Sequence, residues 1–157
     1  MIDLHPTICN LCGGTVEFVK NSKIYGKSYG SGFCYHCINC GAYVGTHKPN
    51  PTEALGLLAN EEMRTWKMWC HNIFDKLWKP HYRFNEETKR AKMVFPKMKR
   101  GQAYSLLAKE MGIPKKECHF GYFNVKQLKR AYAIIKNKFH GGKDEMSTTR
   151  IYKGDEE

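Results

Sequence analysis

The sequence predicts an α+β protein in which a small N-terminal zinc ribbon of short antiparallel strands packs on a C-terminal helical part of about three to four helices. Two Cys-x-x-Cys pairs lie within the first forty residues, short alternating segments lie between them, and apolar residues recur at helical spacing further on. We expect the ribbon at 1–50, the helical domain at 51–142 with a basic linker at 79–101, and a flexible tail at 143–157.

The first cysteine pair is Cys9 and Cys12, and the second pair is either Cys34 with Cys37 or Cys37 with Cys40. A zinc knuckle turns tightly after its second cysteine, and glycine adopts the positive φ of that turn at little cost. Glycine follows Cys12 and Cys40, whereas isoleucine follows Cys37. The spacing therefore predicts Cys9, Cys12, Cys37 and Cys40 as a closed set of four thiolates around one structural Zn²⁺.

The remaining residues near the knuckles have other interpretations. Cys34 is predicted to be a buried strand residue, because a free cysteine behaves as a small hydrophobic side chain. His36 or His47 in place of one cysteine is the alternative ligand set. A sheet this small buries little apolar surface, so metal binding is expected to supply the missing stability, on the order of 10 kcal/mol.

Three helices are predicted after the ribbon. Asn60 is a good N-cap for a helix over 61–79, with Glu61 and Glu62 in its first turn. A second helix is expected over about 101–111, and a third follows Asn124.

The formal net charge of +11 favours anionic partners such as nucleic acid or nucleoprotein. No apolar run approaches the length of a membrane span, and the first residues do not resemble a signal peptide. We therefore expect a cytoplasmic protein without a membrane partner, whose seven cysteines stay reduced.

The stretch 79–101 carries eight basic side chains against only two acidic ones, with aromatic residues between them. It is interpreted either as a solvated, partly flexible connection or as a patch that stacks on bases or fills a protein groove. The last helix adds a second basic face. The candidate binding residues are Lys79, Arg83, Lys89, Arg90, Lys92, Lys97, Lys99, Arg100, Lys126, Lys129 and Arg130.

His71 and Asp75 lie one turn apart on the predicted helix 61–79. The simplest interpretation is a hydrogen bond between the two side chains on the helix surface. A partner-binding face and a catalytic or second metal site are the alternatives, although a lone His/Asp pair lacks a third ligand or a nucleophile.

These features together resemble a zinc-finger-containing family of unknown function found in bacteria and in their phages and prophages. The resemblance covers about residues 9–135. It rests on Cys9-x-x-Cys12-Gly13, Cys37-x-x-Cys40, Ala42-Tyr43-Val44-Gly45-x-His47, Leu58-Ala59-Asn60, Met63-Arg64, His71-x-x-Phe74-Asp75, Tyr104-x-x-Leu107-Ala108 and Met111-Gly112.

The resemblance implies that the four cysteines bind zinc and that His47, Arg64, His71 and Asp75 are signature polar residues without an assigned role. This chain departs from the pattern at Cys34 and in its longer basic stretch. By analogy with other phage proteins of this size and charge, we expect a non-catalytic protein that binds a host nucleic-acid-handling protein. The most specific form of this expectation is an anti-CRISPR inhibitor that binds a CRISPR–Cas nuclease. Direct DNA or RNA binding is one alternative, and a metal-dependent nuclease is the other.

Overall fold

The computed structural model describes residues 2–139, and the contacts within it divide the chain into two compact units. Among the described residues, the first unit comprises 2–64 with 121–124, and the second comprises 65–120 with 125–139. The first unit extends past the expected boundary at residue 50, because bridges join Tyr43 to Ala59 and Thr46 to Ala54. The predicted tail at 143–157 lies outside the described residues.

The first unit is built on a three-stranded antiparallel sheet of order β1-β2-β3. The strands are β1 (Val16–Lys20), β2 (Phe33–Cys37) and β3 (Tyr43–Gly45), and the four-residue helix α1 (Ser22–Tyr25) lies between β1 and β2. In the register, Phe18 pairs with Tyr35, which pairs in turn with Val44. The predicted short antiparallel strands are thereby confirmed.

The core of this unit is small. Its cluster around the metal site consists of seven buried residues: Cys9, Tyr35, Cys37, Ala42, Val44, Ala54 and Leu58. Two of the seven are predicted zinc ligands, so the metal site and the apolar core are continuous.

Helix α2 (Glu61–Asp75) begins where the sequence predicts, because the Asn60 side-chain oxygen accepts a hydrogen bond from the Met63 N–H at 2.9 Å. The helix ends at Asp75, four residues earlier than expected. Leu77 and Trp78 donate to carbonyls three residues back, such as Trp78 N–H to Asp75 at 3.3 Å, and the Lys79 N–H closes a last turn on the Asp75 carbonyl at 2.7 Å. Pro80 disfavours a helical conformation at Lys79, which completes the break.

The expected basic linker contains an ordered β-hairpin of β4 (His81–Asn85) and β5 (Arg90–Val94). Its turn is held by the Asn85 side chain, whose oxygen accepts the N–H groups of Glu87 at 2.9 Å and Thr88 at 3.1 Å. Lys89 completes the turn with a φ of 56°. Apolar and charged residues alternate along both strands, a pattern that is itself typical of a β-strand.

The rest of the second unit is helical, as predicted. Helix α3 (Arg100–Met111) ends at Gly112 with a φ of 71°, and α4 (Val125–Ile134) continues into a π-helical turn at Ile135–Phe139. The core of this unit consists of large apolar side chains, including Phe74, Leu107, Phe120, Leu128 and Ile135. Within residues 2–139, every helix is too short or too polar to cross a membrane.

Candidate metal centre and binding surface

The structure brings Cys9, Cys12, Cys37 and Cys40 together, with all four Sγ atoms within 4.8 Å of one another. The Sγ atoms of Cys9 and Cys40 are 3.7 Å apart, and those of Cys12 and Cys37 are 3.5 Å apart. Zinc–sulfur bonds of about 2.3 Å in a tetrahedron require sulfurs about 3.8 Å apart. The donor set therefore fits one structural zinc ion, and four thiolates leave no open coordination position.

The backbone around each Cys-x-x-Cys pair takes the knuckle conformation that the glycines predict. Gly13 has a φ of 75° and donates to the Cys9 carbonyl at 2.9 Å. Gly41 has a φ of 81° and donates to the Cys37 carbonyl at 3.0 Å. A residue with a Cβ is strained at these angles, so glycine is favoured at both positions.

N–H groups of the knuckles point at the sulfurs, which stabilises thiolates. The Gly14 N–H lies 3.3 Å from Cys12 Sγ, and the Asn39 side-chain amide lies 3.4 Å from the same sulfur. The Asn39 amide, together with the Gly14 N–H, lowers the pKa of the Cys12 thiol to about 6. At Cys12, the surroundings therefore favour the deprotonated form of the ligand that zinc needs.

The sequence did not identify three residues of the metal centre, which are Gly14, Asn39 and Asn10. A Cβ on Gly14 would lie 2.7 Å from the Asn39 Cβ and 3.2 Å from Cys37 Sγ, so only glycine fits there. Asn10 bonds both backbone groups of Leu58, at 2.9 and 3.0 Å, and so ties the first knuckle to the loop after β3. The glycine pair at 13–14 was the available signal for Gly14, whereas nothing local marks Asn39 or Asn10.

Cys34 is 1% exposed and is not part of the four-sulfur group. Burial raises the pKa of its thiol, so it remains a neutral side chain in β2. The alternative ligand His36 is engaged elsewhere, with Nδ1 3.3 Å from a carboxylate oxygen of Glu17. His47, half-buried at the end of the ribbon, also lies outside the four-residue group.

Arg64 has a structural position within the first unit. Its Nη1 donates to the Ala59 carbonyl at 2.7 Å, and its guanidinium lies 4.3 Å from the centre of the Tyr43 ring. Ala59 and Tyr43 also exchange backbone hydrogen bonds. Arg64 therefore fastens the first turn of α2 to β3.

His71 and Asp75 do not form the hydrogen bond that we expected within the described part of the chain. The His71 ring instead lies edge-on to Phe120, with centroids 4.8 Å apart. Burial lowers the pKa of His71, and the Asp75 charge opposes this shift. Neither residue belongs to a group of three or more potential metal ligands in residues 2–139.

Three of the candidate basic residues make contacts inside the second unit. Arg130 donates to the Met111 carbonyl at 3.1 Å and so caps the end of α3. The Lys129 ammonium lies 5.7 Å from the centre of the Trp66 ring, and the Arg100 guanidinium lies 5.0 Å from that of Tyr104. These contacts stabilise the fold, and all three residues are exposed.

The hairpin presents an apolar face to solvent. Tyr82 lies opposite Met93 and Phe84 lies opposite Ala91, so the four side chains share one face, which we call the apolar face. Tyr82 is 63% exposed and Phe84 is 43% exposed, whereas Arg83, on the other face, is half-buried. The aromatic residues are thus turned outward, whereas Arg90 and Lys92 pair with Asn85 and Arg83 and so lie on the opposite face of the hairpin.

A family model described as a zinc-finger-containing domain matches residues 5–138. Comparisons with curated proteins and with solved structures give no match. The matched range includes all four clustered cysteines and both units of the fold. The chain belongs to this family of zinc-finger-containing domains.

Proposed function

We propose that the protein is a non-catalytic, zinc-stabilised binding protein whose hairpin binds a nucleic-acid-handling protein in the cytoplasm of a bacterial host. In its sharpest form, the partner is a CRISPR–Cas nuclease and the protein is an anti-CRISPR inhibitor. The observation that carries the proposal is the exposed apolar face of the hairpin. Phe95, which follows β5 and is 71% exposed, extends the same apolar surface along the chain.

Exposed apolar patches rimmed by charge are typical of protein-binding sites, and aromatic residues, methionine and arginine are enriched at their cores. The apolar face supplies Tyr82, Phe84 and Met93. Lys89, Arg90 and Lys92 are exposed on the same hairpin, and no ion pair to them is found in residues 2–139. Arg90 and Lys92 pair with Asn85 and Arg83, on the face opposite the aromatic residues. A partner that covers both faces of the hairpin complements it with an apolar pocket on one side and acidic groups on the other.

The resemblance to a family found in bacteria and in their phages and prophages supports the choice of a host defence nuclease. The zinc site supports a non-catalytic role, since four thiolates fill the coordination sphere of the metal. A metal-dependent nuclease built on His47, His71, His119 and Asp75 remains the least supported candidate. Mg²⁺-dependent cleavage by the purified protein, lost in a folded His71→Ala variant, is the result that would revive it.

The first test measures DNA cleavage by a purified Cas9 nuclease with its guide RNA, with and without the protein. We expect inhibition by the wild-type protein, weaker inhibition by Tyr82→Ser and Phe84→Ser, and no change with Met68→Ser. Met68 is a suitable control because it is 52% exposed on α2 and lies away from the hairpin in sequence. Equal inhibition by all four proteins would rule out the apolar face as the binding site.

The second test identifies other partners through affinity capture from host lysate, with and without nuclease treatment. A protein partner retained after nuclease treatment, and lost with Tyr82→Ser, supports the proposal. Capture that disappears after nuclease treatment indicates a nucleic-acid bridge and contradicts it.

Direct nucleic-acid binding is the second candidate, and the exposed basic side chains of the hairpin favour it. For this function, the logarithm of the affinity for DNA falls linearly with the logarithm of the salt concentration, with a slope of about −0.9 per phosphate contacted. A binding isotherm that does not respond to salt contradicts direct DNA binding.

A further inference from the structure

A groove of about 870 Å³ opens at the start of α3 in the second unit. Met98 and Leu106 line it, and Leu106 is 38% exposed although its helix neighbour Leu107 is fully buried. This groove, which we call the α3 groove, therefore offers an apolar floor to a ligand. The groove begins two residues after Phe95, the last exposed aromatic residue beside the hairpin.

Three lysines border the α3 groove: Lys97, Lys99 and Lys115. No acidic residue lines it, and the first turn of α3 carries no acidic side chain. Within residues 2–139, no ion pair to any of the three ammonium groups is found. The groove thus combines an apolar floor with an uncompensated positive rim.

The positions of the lysines place this charge at the groove. A Cβ on Gly101 would lie 3.6 Å from the Lys115 Nζ, so the ammonium group lies beside the first turn of the helix. Lys97 and Lys99 precede that turn in the chain. The positive end of the helix dipole adds to the charge of the lysines.

We propose that the α3 groove binds an acidic peptide segment of the partner protein, with one large apolar side chain of that segment on Met98 and Leu106 and its carboxylates at the three lysines. This inference rests on the proposed function and specifies the chemistry of the partner. A nucleic-acid strand fits the groove less well, because bases bind on aromatic platforms and none of the lining residues is aromatic.

The test is fluorescence anisotropy with the full chain and a labelled twelve-residue peptide that carries six acidic residues around a central Leu-Phe pair. A second peptide has Ser-Ser in place of Leu-Phe, and a twelve-nucleotide thymidine strand is the third probe. We expect the Leu-Phe peptide to bind most tightly. Equal or tighter binding of the thymidine strand, or no binding of the peptide, overturns the proposal.

The variants separate charge from apolar contact. Lys97→Gln with Lys115→Gln should weaken peptide binding about tenfold, at about threefold per lysine. Lys48→Gln with Lys109→Gln removes the same charge outside the groove and should leave the affinity within about twofold. Leu106→Ala should weaken binding of the Leu-Phe peptide about fivefold and leave that of the Ser-Ser peptide unchanged. Equal losses from both lysine pairs show a non-specific charge effect and overturn the proposal.

Two other occupants of the α3 groove are distinguished by their own experimental results. If a dilution series of the protein alone perturbs the backbone NMR signals of Gly101 and Leu106, a second copy occupies the groove and the assignment to a partner is wrong. If the peptide binds only after Asp155, Glu156 and Glu157 are neutralised, the chain's own C-terminal segment is the occupant, and the assignment is again wrong.

Failure of this inference can be told apart from failure of the proposed function. If partner capture depends on Tyr82 and Phe84 but the groove variants have no effect, the groove assignment fails and the hairpin proposal stands. If the peptide binds the groove but no nuclease or other partner depends on the hairpin, the proposed function fails instead.

Discussion

The two units of the chain are stabilised in different ways. In the first unit, a core cluster of seven residues includes two zinc ligands, and the sheet has only three short strands. In the second unit, the buried residues include Phe74, Leu107, Phe120, Leu128 and Ile135, and there is no group of metal ligands among the described residues. Stability that comes from metal is therefore confined to one unit, while the surfaces proposed for binding belong to the other.

The largest expected effect comes from removal of a zinc ligand. Cys40→Ser should abolish zinc binding and unfold the first unit, because the metal supplies on the order of 10 kcal/mol to a fold of this size. Elemental analysis should find one zinc ion per wild-type chain and none in the variant. The matched control is Cys34→Ala, which should keep its zinc. Loss of zinc from Cys34→Ala would show that the ligand set is wrong.

In the second unit, truncation of a core side chain should lower the stability without any effect on zinc binding. Leu107→Ala leaves a cavity where a side chain is 0% exposed and should lower the free energy of unfolding by about 2–5 kcal/mol. Urea denaturation followed by circular dichroism measures this loss, and zinc content should stay at one per chain. Leu106→Ala, on the exposed side of the same helix, should lower the free energy of unfolding much less. Release of zinc by Leu107→Ala would contradict the claim that metal-dependent stability is confined to the first unit.

Gly14→Ala tests the packing of the metal centre without the removal of a ligand. The added methyl group lies within contact of Asn39 and two sulfurs, so overpacking should cost about 1–3 kcal/mol and weaken zinc binding. Competition with a chromophoric chelator measures the change in affinity. Gly45→Ala is the control, since its methyl group meets only Leu55 at 3.5 Å. An unchanged affinity in Gly14→Ala would contradict the close approach at this position.

Acidification should release zinc, and the difference in release between the wild-type protein and a variant should be smaller than the effects described above. The pKa of Cys12 is lowered to about 6, mainly by the Asn39 amide, so its thiolate persists above that pH and is lost as the pH falls through it. Bound zinc lowers the pKa further, and release should therefore begin below pH 6. Asn39→Ala removes the hydrogen-bond donor and should move release to higher pH. The same chelator absorbance, followed during a pH titration, detects the shift.

The sequence predicted the metal centre better than it predicted the hairpin. Cysteine spacing and the glycines at 13 and 41 depend on local backbone geometry, which a single sequence displays. Asn60 and Gly112 mark helix ends for the same reason, and the structure confirms them. In the hairpin, Tyr82 and Phe84 alternate with charged residues in a pattern that also suits a solvated chain.

Contacts between distant parts of the sequence were not predictable. Asn10 contacts Leu58 across 48 residues, and Arg130 caps α3 from 19 residues away. Arg130 appeared in sequence as one more cation on a basic face, because its partner is a backbone carbonyl that no side-chain pattern marks. His71 likewise packs on Phe120, which lies on a segment whose position the helical periodicity does not reveal.

The most direct test of this difference between the units is hydrogen–deuterium exchange of the full chain before and after zinc removal by a chelator. Zinc removal should abolish the protection of amides in β1, β2 and β3 and preserve that of amides in α3 and α4, because only the first unit depends on the metal. Uniform loss of protection in both units, or unchanged protection in the ribbon strands, would contradict the claim that zinc stabilises the ribbon alone.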